Sequence, residues 1–179
     1  MPGSLFKQGT SKKVTNVVSG VHQNYPVKFF YYEYMTGSRK DSQQFEYTVA
    51  EITFLDILPN IAVKGFKVIR TWPLLPGQKK LSMGYAFDKR FSVYVPEDFE
   101  IEAFQIFTPD VMEDFISKAS FINFEFIGTK LYVVENHYIT NARDLTRFFE
   151  IVKYLLEKVA PRLMRLSRDV RAMQEAIKS

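Results

Sequence analysis

The chain contains no cysteine in its 179 residues. That absence removes disulfides, thiolate-bound zinc, iron–sulfur clusters and cysteine nucleophiles together, and it fits a reducing, cytoplasmic setting. Histidine is scarce too. His22 falls in a turn and His137 near a strand end, and neither has a second histidine or a carboxylate at helical spacing beside it, as a metal site requires. No Gly-x-Ser-x-Gly turn presents a serine nucleophile. Gly37-Ser38-Arg39-Lys40 lacks the strand–loop–helix setting of a phosphate loop and reads as a hairpin tip. No apolar run reaches the ~20 residues that span a bilayer, and the first residues lack the layout of a secretory signal. With these classes excluded, the chain is expected to be a non-enzyme with no cofactor and no metal.

What is present is core material. Hydrophobic residues make up 46% of the chain and aromatics 16%, which suits one packed domain and leaves too little chain for two. Lysine and arginine number 24 against 20 acids, an excess that a solvated surface accounts for as well as a polyanion does.

Strand patterns open the chain. Val14 to Val21 is β-branched and ends in His22-Gln23-Asn24, a turn signal ahead of Pro26. Val27 to Met35 follows as an aromatic strand, and Phe45, Tyr47 and Val49 alternate with polar residues in a third. Past Ala50 the apolar positions shift to Ile52 and Phe54, which predicts a bulge there. Pro59, Pro73 and Pro76 punctuate the middle, where a short strand over Ile61 to Val63, a connection holding Trp72, and a strand over Phe91 to Val95 are expected.

Helix signals come next. Ile101, Phe104 and Phe107 predict a short helix after Asp98. Thr108-Pro109-Asp110 is a capped helix start, with Met112, Phe115, Ile116 and Ala119 on its inner face. Phe121 to Tyr138 is read as a hairpin turning at Gly128-Thr129, which sets Phe126 opposite Leu131 and Phe124 opposite Val133. Asn141 caps a long final helix that carries Leu145, Phe148, Phe149, Val152, Leu155, Leu156 and Val159 inward and is interrupted or kinked at Pro161. The sum is an α+β fold: a mostly antiparallel, twisted sheet of about six strands, packed by the Pro109 helix and the long C-terminal one. Met1-Pro2-Gly3-Ser4 reads as a cloning remnant. Residues 1–13 are accordingly assigned to a leader, 14–161 to the domain and 162–179 to a basic helical extension.

Spaced segments carry a resemblance. Phe6 and Gly9 precede Asn16-Val17-Val18-Ser19-Gly20; Phe30, Tyr32 and Tyr34 precede Thr36-Gly37-Ser38. Thr48-Val49, Leu58-Pro59, Phe91-Ser92-Val93, Glu102-Ala103 and Thr108-Pro109-Asp110-Val111-Met112 follow in order. From Phe6 to Pro161 the chain resembles a bacterial family of domains of unknown function, often the soluble part of proteins with membrane spans near the N-terminus. The resemblance implies a membrane anchor ahead of Leu5 and a place at the inner face of the cell membrane. It brings no catalytic residues, and the basic extension after Pro161 departs from it.

Three functions are compatible with these residues. The leading expectation is an interaction or scaffold domain. Leu163, Leu166, Val170, Met173 and Ile177, spaced three and four apart, form a heptad seam for weak self-association or for a partner helix. The second is a small-molecule binder with an apolar pocket between sheet and helix, lined by Tyr31, Tyr32, Tyr34 or Trp72. The third is a polyanion-binding module using Arg162, Arg165, Arg168 and Arg171. Two rival readings are bland on their face: Phe29 to Tyr34 serve as core more readily than as a stacking platform for nucleic acid, and Glu97, Asp98, Glu100 and Glu102 as a solvated helix start more readily than as paired acids.

Overall fold

The computed structural model describes residues 1–38, 41–65, 75–119 and 122–178, with side chains left undescribed at 170, 171 and 173–178. Trp72, Pro73, Arg39 and Lys40 therefore lie outside the described residues. Six strands are present: β1 (Thr10–His22), β2 (Tyr25–Thr36), β3 (Gln43–Gly65), β4 (Gln78–Leu81), β5 (Phe91–Pro96) and β6 (Asn123–Glu135). All five pairings are antiparallel. The sheet runs β1-β2-β3-β5-β4, with β6 paired to β3. Helices are a single turn α1 (Tyr85–Asp88), α2 (Glu100–Ile106), α3 (Pro109–Lys118), α4 (Ala142–Tyr154) and α5 (Ala160–Lys178). This is the α+β architecture read from the sequence.

Period-two alternation gives the sheet two cores. On the inner face Val27, Ala50, Ile52, Val63, Phe124, Phe126, Leu131 and Val133 meet the helices. On the outer face Phe30, Tyr32, Tyr34, Tyr47, Val49, Tyr132 and Val134 form a second, aromatic core, closed by Leu5 and Phe6. The first residues are thus part of the fold. Ser4–Lys7 make a 3-10 turn, Phe6 stacks edge-on against Tyr32 and Tyr132 with centroids 4.9 Å away, and Ser4 donates its N–H and hydroxyl to Glu125 at 2.7 and 2.9 Å. The boundary expected after residue 13 is replaced by a domain that takes in Ser4 onward.

β3 is one long strand, where a strand, a break at Pro59 and a short strand were expected. Its pairing with β2 is regular through Ala50, so no bulge lies there. The irregularity comes later: Thr53 faces Lys130 and Leu58 faces Gly128, with further slippage before Ile61. Pro59, with no N–H to give, sits in this bulged stretch, where a ladder bond is not required. β6 is likewise a single strand. Gly128 has φ +58° but does not turn the chain back, so Phe126 pairs with Ile61 and Leu131 with Ile52.

One helix presents another face than its spacing implied, whereas α3 keeps the expected one, with Phe115 and Ala119 buried and Met112 and Ile116 packed against the core. In α2 it is Ala103, Ile106 and Phe107 that are buried, while Ile101 (74% exposed) and Phe104 face out. α3 buries Val111 and Phe115. Asn141 caps α4, accepting from the Asp144 N–H at 2.9 Å. The helix is then positioned by Thr48, whose hydroxyl donates to the His137 carbonyl at 2.8 Å and accepts from the Ile139 N–H at 2.9 Å.

The expected interruption at Pro161 takes a defined form. Leu155–Val159 widen into a π turn, and the Ala160 N–H reaches back to the Leu155 carbonyl. A proline in a helix lacks a donor and crowds the carbonyl four residues back, and a wider turn relieves both. Beyond it α5 continues across the sheet, and Leu163 (0% exposed) and Leu166 (7%) enter the inner core.

Candidate functional site

Among the described residues β1 is an edge strand, bonded to β2 alone, and almost all of it is exposed. It carries valines nonetheless. Val14, Val17, Val18 and Val21 are all exposed, Val18 at 65% and Val21 at 72%. Cross-strand pairing fixes where they point. Val18 stands opposite Phe29 and Gly20 opposite Val27, both inner-face residues, whereas Val14 stands opposite Tyr32 of the outer core.

On the inner side, a gap remains between β1 and α4. The gap is an apolar groove of about 350 Å³ lined by Val18, Gly20, Val27, Phe29, Phe149 and Leu156, among others, with His22, Glu150 and Lys153 also on its wall. The Cβ position of Gly20 looks into this open space, with nothing within 4 Å of it. Phe149, expected in the core, is 42% exposed and packs edge-on against Phe29, centroids 4.5 Å apart, at the groove wall. A second hollow of about 420 Å³ lies on the outer side, between Val14 and Val17 of β1 and Lys28, Phe30, Glu51, Lys130 and Tyr132.

The edge strand itself carries charge of one sign. From Met1 to Tyr32 the chain contains Lys7, Lys12, Lys13 and Lys28 and no carboxylate; the first acid is Glu33. Glu33 is 3.6 Å from Lys13. Glu51, which stands opposite Lys28, is already held by Lys130 at 3.0 Å. Valine clustering, a glycine in mid-strand and the missing acids were the sequence signals for this site, and the reading of motifs passed over all three.

The sequence-derived candidates are placed differently. Leu163 and Leu166 are buried in the domain's own core, so the first two seam positions are not available to a partner; the side chains of Val170, Met173 and Ile177 lie outside the described residues. Arg162 is engaged by the fold, donating to the Thr108 hydroxyl at 2.6 Å and lying 3.4 Å from Asp110. Arg165 and Arg168 are exposed, and the Arg171 side chain is not described. Tyr32 and Tyr34 fill the outer core, and Tyr31 bonds the Ile139 carbonyl and stacks on Tyr138, so none of the three lines the groove.

His22 lines the groove, where Glu150 is also on the wall, and His137 lies 3.7 Å from Glu135. Among the described residues no group of three or more metal-ligating side chains gathers, and no helix is long and apolar enough to cross a membrane. Of the acidic patch, Glu100 is paired with Lys79.

One buried polar set stands apart on the outer face. Burial pushes the Lys64 amine down to about 8, against the opposing pull of Glu125, and burial raises the Glu125 carboxyl despite its bonds from Ser4.

No family model matches the chain, and no curated protein does. Among solved structures, the crystal structure of the mycobacterial trehalose monomycolate transport factor A, TtfA, is similar over 86% of this chain and 78% of that one. The TM-score is 0.58 and the sequence identity 13%. Likeness at that identity is a likeness of fold.

Proposed function

We propose that the chain is a non-enzymatic interaction domain, an accessory component of a transport-type process, that docks a partner in the groove between β1 and α4. The observation that carries this reading is the groove itself: an apolar hollow over Gly20 beside a strand edge that is unpaired among the described residues. Exposed apolar surface rimmed by polar groups is what an interaction site offers. The structural neighbour is a transport factor, which supports the accessory setting, and a place on the cytoplasmic side of a membrane belongs to the same proposal.

A second reading rests on the volume. About 350 Å³ lies within the range of small-molecule sites, so the groove also suits a small apolar ligand. One pair of measurements tests both. A photoreactive residue at Val18 should give a discrete protein adduct in cells that natively contain the chain, and Gly20→Trp, which fills the groove, should abolish it while leaving thermal unfolding unchanged. An adduct indifferent to Gly20→Trp overturns the groove as the docking site. A bound apolar mass that native mass spectrometry finds on the parent and loses in Gly20→Trp favours the small ligand.

A further inference from the structure

The partner's chemistry can be read from the strand beside the groove, and this step rests on the interaction reading above. Two residues of β1 adopt left-handed backbone, Ser11 and Asn16, both at φ 52°. Register with β2 slips at the same places, between Thr10 and Lys13 and between Thr15 and Val18. Bulges and lysines are the devices by which an edge strand avoids pairing, and Lys12 and Lys13 complete that protection over the first half of β1. The second half has none of it. Val18, Ser19, Gly20, Val21 and His22 pair with β2 without interruption, and no described strand pairs with their other edge.

A strand added there alternates its side chains between the two faces of the sheet. A hollow lies to each side: the groove over Gly20 on the inner face, and the outer hollow that begins at Val17. Such an occupant has apolar residues to seat. It also meets Lys28, opposite Ser19, and Lys153 on the groove wall, against a single carboxylate on that wall, Glu150. β1 itself holds lysines and no acid, and this balance calls for carboxylates and repels a basic segment. A second copy of β1 has no carboxylate of its own and does not answer that charge. A flat anionic membrane would answer the charge but would leave the groove unfilled and the free edge unpaired.

We propose that β1 between Val18 and His22 receives an extended, acidic and apolar segment of a protein partner, pairing edge to edge and seating side chains in the groove over Gly20. This is strand addition, with backbone bonds giving affinity and pockets giving selectivity.

The probe is a fluorescein-labelled octapeptide of alternating glutamate and valine, titrated by anisotropy and compared with its lysine–valine counterpart. The acidic peptide should bind, weaken as salt rises, and slow hydrogen exchange at amides within 18–22. Its lysine counterpart, and the acidic peptide against Gly20→Phe, should each bind at least about tenfold more weakly. Gly20→Phe should unfold at the parent's temperature. Equal binding of both peptides, with protection at 18–22, overturns the acidic assignment and leaves the interaction reading standing. Absence of peptide binding, with phosphatidylglycerol vesicles binding instead, overturns strand addition. Absence of both, together with an unchanged Val18 adduct in Gly20→Trp, overturns the groove as the docking site as well.

Discussion

Arg162 on α5 donates to the Thr108 hydroxyl at 2.6 Å, joining the start of one helix to the far side of the π turn in another. The same guanidinium approaches the Ile106 carbonyl at 3.5 Å and Asp110 at 3.4 Å, so its partners are mostly neutral and local. A charged donor to neutral acceptors at a partly buried site contributes more than an exposed ion pair does. Arg162→Ala should therefore lower stability by about 1–3 kcal/mol, with little dependence on salt. Arg162→Lys should not restore it, since an ammonium does not reproduce the planar fork. Denaturant midpoints at low and high salt decide the matter; a loss that vanishes in high salt would mean that Asp110 alone matters.

Phe126 and Leu131 lie on one strand, on either side of Gly128, and both are buried in the inner core. Each truncation to alanine should cost roughly 2–5 kcal/mol. Because the two positions are about 16 Å apart along an extended chain and face different residues of β3, Ile61 and Ile52, the double variant should be additive within about 0.5 kcal/mol. A coupling well above that would point back to a hairpin in which the two side chains touch.

That pair also shows where the sequence stops being decisive. The inward positions change parity between Phe126 and Leu131, and a tight turn and a bulge produce the same change. Gly128 fits both, since either needs left-handed backbone. What settles it is β3, which runs unbroken past Pro59 to face both halves, a long-range fact that no local pattern holds. Strands β1, β2 and β5, the Pro109 helix and the Asn141 cap were legible because each has a local cause. The groove was not, because Val18, Gly20, Phe29 and Phe149 are brought together from strands and a helix more than a hundred residues apart. Leu163 was misread for a related reason: heptad spacing on a helix is identical whether its apolar face meets a partner or its own sheet.

Buried titratable groups give a pH prediction whose sign can be worked through. Burial holds the Lys64 amine near 8, below the roughly 10.4 of an unfolded lysine. Between those values the unfolded chain binds more protons than the native one, so stability should rise with pH, by up to about 1.4 kcal/mol per unit. Burial acts oppositely on tyrosine. Tyr32 is pushed up to about 12 and Tyr132 higher still, so above pH ~10 the native state keeps protons that the unfolded chain loses, and stability should fall. Urea midpoints should therefore peak near pH ~10, and Lys64→Met should flatten the rise while sparing the fall. A parent protein equally stable from pH ~8 to ~10 would remove Lys64 from this account.

The last prediction concerns the N-terminal turn that closes the outer core. Phe6 has three rings about it, Phe30, Tyr32 and Tyr132, and Leu5 is buried beside them. Gly3 lies against the same tyrosine, where an added Cβ would come within 2.9 Å of the ring. Replacing Leu5 and Phe6 together with alanine removes most of the apolar cover and should cost several kcal/mol, roughly 3 or more. The helices pack on the opposite face of the sheet, so the loss should be uneven. Amides of β1 and β2, whose outer side chains the turn covers, should exchange faster in sub-global openings, whereas those of α4 should keep protection closer to the global value. Native-state hydrogen exchange on parent and double variant reads this directly. If protection falls by the same free energy everywhere, the two faces unfold as one unit and the turn is an ordinary part of a single core. If it falls nowhere, Leu5 and Phe6 do not close the aromatic face in solution.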